Sequence, residues 1–588
     1  MLEKHLALSS DYYYWNKVEH NILLGKWCMK HKNKSHLYKY KHTIIRDIWD
    51  DEKYDSKVVY CRKLYNLILR PLSHTLNSIH NLDYNLRSWE IIVGWWLLFH
   101  IEISYDRYHL IKSALALNPD RCSILNLPAE TFIPADSLEY TKFMYNDLRN
   151  IFILSFILTE FKNNDIEYCE LNISNEDILD FEKLKSAKYH KNPTTSYQGL
   201  SFEYTFSGSR FRPSSIRNFL NEEGHEELPE YRYDFSPDSN LRGNLFIDFC
   251  PNNHFEKVCI SLLKNQIPAS FLETFKKIHN AVDVNYPTNK GVIYSANSFT
   301  TNDCFKIWTS SQINKNKSKL VLGQHSNTYG NLHIQSAEYY ERRIADFFIT
   351  WGWKEDKKTI PLPPLQLNPF FNKSHLIYLN SDKIIFADCS YSLFKNWYYS
   401  LPTGNDHFDT IQEVKTFYKS LDSSILKFFE HRLYPQNFGW DEEQILRSNF
   451  PELKLTNSNG EISFIDHMKS AKLCVLNYHS MILTECIAAN FPIICFWDFN
   501  NTKIRQNVNY LYDNLQDVGI LHSSPESAAR FINENYQNIE IWWNDKNTIK
   551  AKRDYAFKFC KNEHEPEKSW ANFLQSLLVT KKNDLIAV

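Results

Sequence analysis

Residues Lys319–Trp353 read KLVLGQHSNTYGNLHIQSAEYYERRIADFFITWGW, and this stretch decides the fold class. Leu320-Val321-Leu322 is a short apolar run that stops at Gly323, with Gln324 and His325 directly after it. Asn327, Thr328, Tyr329 and Gly330 make a polar turn. A charged helix-like segment then carries Glu338 and Glu341, and a second apolar run, Phe347–Thr350, ends in Trp351-Gly352-Trp353. The order is strand, polar loop, helix, strand. Strands that alternate with helices form a parallel sheet, whose ligands bind at the carboxyl ends of the strands. Gln324, His325, Asn327 and Tyr329 follow one such end and Trp353 follows the next, so they are candidate binding or catalytic residues. A turn holding one hydrogen-bonded histidine explains the same residues equally well.

The alternation extends in both directions. Upstream, NLFIDF (Asn244–Phe249) and GVIYSA (Gly291–Ala296) are predicted strands. Phe255–Asn265, Ala269–His279 and Asn302–Ser311 are predicted helices. Downstream, residues 361–369, PLPPLQLNP, carry four prolines. Proline fixes φ and removes a donor, so residues 361–370 read as an extended linker and a domain boundary. Beyond it KIIFADC, KLCVLNY and PIICFW are predicted strands, with Met481–Asn490 a helix between the last two. Ser524-Pro525-Glu526 opens a further helix with a capping serine and a first-turn proline. Residues 1–150 read as mainly helical, on the three- and four-residue apolar spacing of Tyr60–His80 and Leu86–Leu110. About 165–245 the pattern weakens into an irregular insertion. The fold class is therefore α/β, on a GT-B-like plan. Two Rossmann-like parallel-sheet domains, 151–360 and 371–545, follow an N-terminal helical region, and a C-terminal helix within 546–588 packs back on the first half. A cleft between two such domains is a natural ligand site.

Composition narrows the function classes. A chain of 588 residues holds two to four domains of ordinary size. Its formal net charge of -2 lacks the basic excess of nucleic-acid binders. The 12 cysteines form no CxxC pair and no zinc-spaced cluster, and read as reduced thiols in a cytoplasmic protein. The longest apolar runs, IIVGWWLLFHI and IFILSFIL, fall short of the roughly 20 residues a bilayer span needs. The first residues lack the apolar core of a signal peptide. No GxxxxGK[ST], strand-following GxGxxG, metal-ready DxD or GxSxG occurs, which argues against P-loop, dinucleotide, GT-A-type metal and serine-hydrolase chemistry. No metal site is expected.

Further candidates sit at other strand ends. Asn477–Trp497, NYHSMILTECIAANFPIICFW, places His479 and Ser480 where a strand gives way to a helix. A helix N-terminus offers free N–H groups to phosphate, and Glu485 could accept from ribose hydroxyls. Ser480 as a plain cap and Glu485 as a dipole partner is the competing reading. Asp303 follows GVIYSANSF and could serve as general base or nucleophile. It could equally belong to a helix cap, with Lys306 either meeting phosphate or solvated. Arg432, in HRLYPQNFGW, could fork onto phosphate or pair on the surface.

As a set, LLGKWC, LRSWEIIVGWWLLFHIEISYDRY, SANSFTTNDCFKIW, GQHSNTYG, ADFFITWGW, HRLYPQNFGW, NYHSMILTECIAANFPIICFWD and GILHSSPESAA resemble a family of transferases. Its members are encoded in bacterial O-antigen and surface-polysaccharide clusters, and the pieces run in family order over nearly the whole chain. The family usually carries glycines where this chain has Ser326-Asn327. The resemblance implies a GT-B-like glycosyltransferase that moves a sugar from a nucleotide-sugar donor to an oligosaccharide or lipid-linked acceptor, without metal or cofactor. It implies a cytoplasmic protein, at the inner face of the inner membrane if the aromatic N-terminal helices touch it. A looser likeness to transferases using CMP-activated acidic sugars implies Asp303 as catalytic carboxylate and His325 as acid/base. On that likeness Lys306, Gln324, Arg432, His479, Ser480 and Glu485 hold the donor, while Asn327, Tyr329 and Trp353 shape the loop or acceptor side. A sugar-nucleotide epimerase or glycerol-phosphate polymerase on the same plan, and a non-catalytic scaffold, remain as alternatives.

Overall fold

The strand-helix alternation folds into three sheets, one more than the sequence pattern predicts. The computed structural model describes residues 3–9, 20–29, 41–47, 54–171, 173–186, 194–197, 200–203, 229–246, 248–288, 291–367, 381–456 and 464–586. The N-terminal sheet holds β1 (Lys4–Ala7), β2 (His20–Leu23), β3 (His42–Ile44), β4 (Arg121–Ile124) and β5 (Glu167–Glu170). Its order is β3-β2-β1-β4-β5, with every pairing parallel. The reading of residues 1–150 as mainly helical misses this sheet, although helices still hold most of the described residues there. Strands of three or four residues are too short for a periodicity argument, and the two long helices between β3 and β4 mask them.

Those helices are α1 (Tyr54–His80) and α2 (Leu86–Leu115), followed by α3 (Ser137–Met144) and α4 (Asp147–Glu160). α2 is buried on nearly every side, including Trp89, Trp96, His100, Glu102 and Arg107. A helix apolar all round belongs inside a large protein. α2 also joins all parts of the chain. Ser310 Oγ donates to Ser88 O (2.9 Å), Ser336 Oγ donates to Glu102 Oε1 (2.6 Å), and Tyr398 N donates to Glu102 Oε2 (2.9 Å).

The middle sheet holds β6 (Thr194–Tyr197), β7 (Leu200–Glu203), β8 (Val292–Ser295), β9 (Lys319–Gly323), β10 (Phe347–Thr350) and β11 (Thr359–Pro361). Only β6–β7 is antiparallel. β8, β9 and β10 are apolar on both faces because both faces are covered, as parallel strands usually are. Ile293, Leu320, Leu322 and Phe348 enter the main core. Val292, Val321 and Ile349 meet Trp570 and Leu574 of the helix Pro566–Ile586, which returns from the C-terminus. The Pro-rich segment is built into this layer rather than free: Pro361 ends β11, Leu362 and Leu365 are buried, and Trp570 Nε1 donates to Pro363 O (2.8 Å). Its last residues lie outside those described, as do residues 187–193 and 204–228 of the predicted insertion. The described part of NLFIDF forms no strand: a short helix ends at Asn244, and Leu245 and Phe246 turn. Leu245 and Phe246 are buried, but Phe246 sits at φ 59°, which no strand accommodates.

The C-terminal sheet holds β12 (Ile384–Ala387), β13 (Phe429–Arg432), β14 (Lys454–Thr456), β15 (Leu473–Leu476), β16 (Ile493–Phe496) and β17 (Leu521–His522). The order β14-β13-β12-β15-β16-β17 is parallel throughout. Read from its own first strand this is the doubly wound 3-2-1-4-5-6 order, whose direction switches between β12 and β15. A crevice opens at that point because the connecting loops depart to opposite sides. The middle and C-terminal sheets are thus two parallel α/β units, as on the GT-B-like plan, and of the two only the C-terminal one has the doubly wound order.

Candidate active site

The carboxyl end of β9 forms one side of the site. Gly323 is needed because a Cβ there would stand 2.3 Å from the Tyr294 hydroxyl. Gln324 is buried, and its backbone N donates to Ile349 O (2.8 Å). Its Oε1 accepts from Trp351 N (3.1 Å) and Trp353 Nε1 (2.8 Å), and its Nε2 donates to Ser326 O (2.8 Å). Gln324 and Trp353 therefore brace the loop rather than reach for a ligand. Trp353 also walls the turn at Gly330, whose φ is 74° and whose Cβ would come within 2.7 Å of the indole. Ser326 and Asn327, which stand where the family usually has glycines, are not among the described residues with positive φ. Ser326 Oγ accepts from Thr328 N (3.3 Å) and makes a hydrogen bond with Thr328 Oγ1 (2.9 Å), so a serine turn replaces glycine freedom without strain.

His325 occupies the centre of this loop, with 26% of its side chain open. Its Nε2 lies 3.4 Å from the Tyr329 hydroxyl and its Nδ1 3.8 Å from Glu341 Oε2. Tyr329 Oη donates to Glu341 Oε1 (2.5 Å). Burial pushes the Glu341 carboxyl well above the usual carboxylate range. The same burial lowers His325 to about 4, with backbone contacts to Ala296 and Gly323 opposing it. At neutral pH the imidazole is therefore uncharged and able to take a proton. Neighbouring Glu338 orders the loop: its Oε2 accepts from Gly330 N (2.9 Å).

The carboxyl ends of β12, β13 and β15 form the other side. Ser480 caps the helix Met481–Ala488 by accepting from Ile482 N (3.1 Å), and Glu485 is buried one turn further on. Arg432, at the end of β13, donates to His467 Nδ1 (2.9 Å) and is half-buried. Burial lowers its pKa from the ordinary guanidinium value. At the switch point, Asp388 Oδ1 accepts from Asn477 Nδ2 (2.7 Å), and Asp388 Oδ2 lies 3.1 Å from His431 Nε2. His431 Nδ1 is 2.8 Å from the Tyr418 hydroxyl. Asp388 and Asn477 escaped the sequence reading. The signal for Asp388 was a carboxylate one residue past the first strand of the doubly wound unit.

Two loops from opposite sheets meet through a continuous hydrogen-bond path. Tyr512 Oη donates to Asn331 Oδ1 (2.9 Å), so His479 Nε2, 2.8 Å from the same oxygen, carries the hydrogen it donates. Asn331 Nδ2 in turn donates to Asn327 O. Burial lowers His479 to about 4 and keeps it neutral. Around this path Asn327 Nδ2, Glu341 Oε2, His479 Nδ1 and Asn477 Oδ1 are buried with no hydrogen-bond partner. Buried polar atoms are almost always paired, so such a set marks where a ligand or water belongs. The two sides are also stitched together. Leu332 bridges to Ile504, and Arg505 donates to Leu332 O (2.9 Å) and pairs with Glu338 (2.7 Å). Asn331, Tyr512 and Arg505 were also missed by the sequence reading, since no local pattern brings them together.

Asp303 and Lys306 fall outside this assembly, which corrects their expected roles at the cleft. Asn302 caps the helix Asp303–Asn316 by accepting from Phe305 N (2.8 Å). Asp303 Oδ2 accepts from Ser137 N (3.0 Å) and Ser270 Oγ (2.5 Å), while Asp303 Oδ1 pairs with Lys306 Nζ at 2.7 Å. Lys306 Nζ also donates to Ser137 Oγ (2.6 Å), and both side chains are buried. The adjoining niche of about 10 Å³ has room for roughly one water and none for a sugar. Capping and pairing, the plainer reading of these residues, is what the fold uses.

Among solved structures, the chain is similar to a variant of the wall teichoic acid polymerase TagF. That match has 10% identity and a TM-score of 0.31, over 52% of this chain and 86% of that one. It is also similar to WaaG, a glycosyltransferase involved in lipopolysaccharide biosynthesis, at 11% identity and a TM-score of 0.28 over 51% and 95% of the two chains. No curated protein matches the sequence. The model of the LIC12162 family transferases matches residues 4–574, nearly the full length, so the chain belongs to that transferase family.

Proposed function

We propose that this transferase is a glycosyltransferase. It would move a sugar from a nucleotide-sugar donor to a surface-polysaccharide acceptor, oligosaccharide or lipid-linked, in the cleft between the middle and C-terminal sheets. The observation that carries this reading is the path His479–Tyr512–Asn331–Asn327, which brings strand-end loops of the two sheets together around unpaired buried polar atoms. His479, Ser480, Glu485 and Arg432 would hold the nucleotide, with the N-terminus of the helix Met481–Ala488 facing its phosphates. A CMP-activated donor is the first to test. His325, neutral and backed by Tyr329 and Glu341, would accept the proton of the acceptor hydroxyl. As the acceptor oxygen bonds to the anomeric carbon, the carbon–oxygen bond to phosphate breaks and its electron pair leaves with the nucleotide. Arg432 and helix N–H groups would meet that charge, chemistry that needs no metal. Asp303, committed to Lys306, has no part in this step.

Calorimetry on the full chain with EDTA present, across CMP, UDP, GDP, their sugar conjugates and CDP-glycerol, tests the reading. One nucleotide class should bind, and more weakly to Glu485→Ala. His325→Asn should bind the donor normally and lose about 100-fold or more in turnover. A well-folded chain that binds none of these ligands would sink the proposal and favour a scaffold. Turnover of donor without acceptor would favour an epimerase.

A further inference from the structure

Helices α2, α3 and α4 converge on a second polar cluster, remote in sequence from the loops of the cleft. His100 of α2, Tyr140 of α3 and Arg149 of α4 are each 0% exposed. The Arg149 guanidinium carbon lies 5.1 Å from the centre of the Tyr140 ring, and the His100 and Tyr140 ring centres are 6.1 Å apart. All three Arg149 side-chain nitrogens, the Tyr140 hydroxyl and both His100 ring nitrogens lack a hydrogen-bond partner. The Tyr140 hydroxyl is close enough to the guanidinium to favour its charged form. No described carboxylate forms an ion pair with it. Burial and the nearby Arg107 lower Arg149 to about 10, which leaves it charged at neutral pH.

Arg107, one layer away, shows how this fold treats a structural arginine. It pairs with Asp106, donates to Asn150 Oδ1 (2.9 Å) and donates to Lys395 O (2.8 Å). Arg149 has the same burial but no carboxylate, amide or carbonyl among its described partners, only the Tyr140 ring and hydroxyl. An arginine sealed from water with no carboxylate or carbonyl on its donors is strongly unfavourable unless an anion completes it. Guanidinium donors form a planar fork that matches carboxylate or phosphate oxygens, and a neighbouring phenol can add one more donor.

We propose that the junction of α2, α3 and α4 is an anion-binding site. It would take a carboxylate or phosphate group on the Arg149 guanidinium, with Tyr140 and His100 as flanking donors. It would be distinct from the cleft between the middle and C-terminal sheets. Lys395 and Asn396, which meet Arg107, belong to the C-terminal unit.

The test is thermal unfolding of the full chain in chloride-free buffer at fixed ionic strength, titrated separately with inorganic phosphate and with acetate. A saturable rise in Tm with one anion is expected, and which anion gives it names the chemistry. Arg149→Met should abolish the rise. Arg447→Met, at an exposed surface pair, should keep it. No saturable rise with either anion overturns the site, and so does a rise that survives Arg149→Met. Should Arg149→Met fail to fold, Tyr140→Phe decides the matter because it keeps the ring. A Kd weakened by about threefold or more supports the site, and an unchanged Kd overturns it.

Discussion

Single residues in this chain are read correctly only with their partners in view. Asp303 and Lys306 look alike as catalytic candidates and as a helix-start pair, and the deciding fact is that both are buried against each other at 2.7 Å. Removing one partner of a buried pair leaves the other charge unmet, which costs about 3–5 kcal/mol. Asp303→Asn should therefore lower Tm strongly, while the folded fraction keeps its affinity for donor. Calorimetric unfolding alongside ligand titration separates the two effects. A variant of normal stability that has lost all turnover would return Asp303 to a catalytic role. His325 is the opposite case: its neighbours Tyr329 and Glu341 leave an uncharged ring partly open in the loop, which suits proton transfer more than structure.

At the scale of elements, the β9–β10 connection shows how a loop becomes rigid enough to hold a site. Gln324 ties both strand ends, the Trp353 indole blocks the space behind Gly330, and Glu338 receives the Gly330 N–H. Gly330→Ala would force a side chain into the left-handed region, at about 1–2 kcal/mol, and into the indole at 2.7 Å. The expected outcome is a lower Tm together with weaker turnover, because His325 and Asn331 flank the displaced turn. Equal stability and activity in the variant, measured by unfolding and steady-state kinetics, would mean the loop tolerates a different path.

At the scale of the molecule, the units share one apolar core and are joined by hydrogen bonds between their loops. Tyr512→Phe removes the hydroxyl shared by Asn331 and His479 and leaves both buried groups unmet, a loss of about 1–3 kcal/mol. Activity should fall further than donor affinity, since the path spans both sides of the cleft. A fall in donor affinity alone would confine Tyr512 to the nucleotide side. Two groups of buried residues act on the pH response in opposite directions. His80, His109, His325 and His479 are each lowered by burial to about 4 from 6.5. Between those values the unfolded chain binds more protons, so their contribution to stability is lost as pH falls. Glu102, Glu230 and Glu413 are raised, mainly by burial, to about 7 from 4.5. There the folded chain binds more protons, and stability is lost as pH rises. Between pH 4.5 and 6.5 the two slopes have opposite signs. Glu102→Gln should tilt the profile so that Tm climbs with pH across that window. An untilted profile would show that Glu102 ionises in the folded chain as it does in the unfolded one.

The sequence by itself determined the parallel α/β units from residue 292 onward. Runs such as GVIYSA, KIIFADC and PIICFW are apolar on both faces, and the segments between them are helix-forming, so local pattern and final burial agree. It also marked the two strand-end loops holding His325 and His479, because a polar cluster directly after a buried strand has few other places to go. Tertiary structure alone decided the rest. β1 to β4 are three or four residues long, and only pairing with one another makes them a sheet. The fates of Asp303, Gln324 and Trp353 turned on which partners the fold delivered. Asn331, Tyr512 and Arg505 lie up to 181 residues apart along the chain and have no common local signal. Their role comes from a contact between two units, and a contact between distant segments leaves no periodicity in either one.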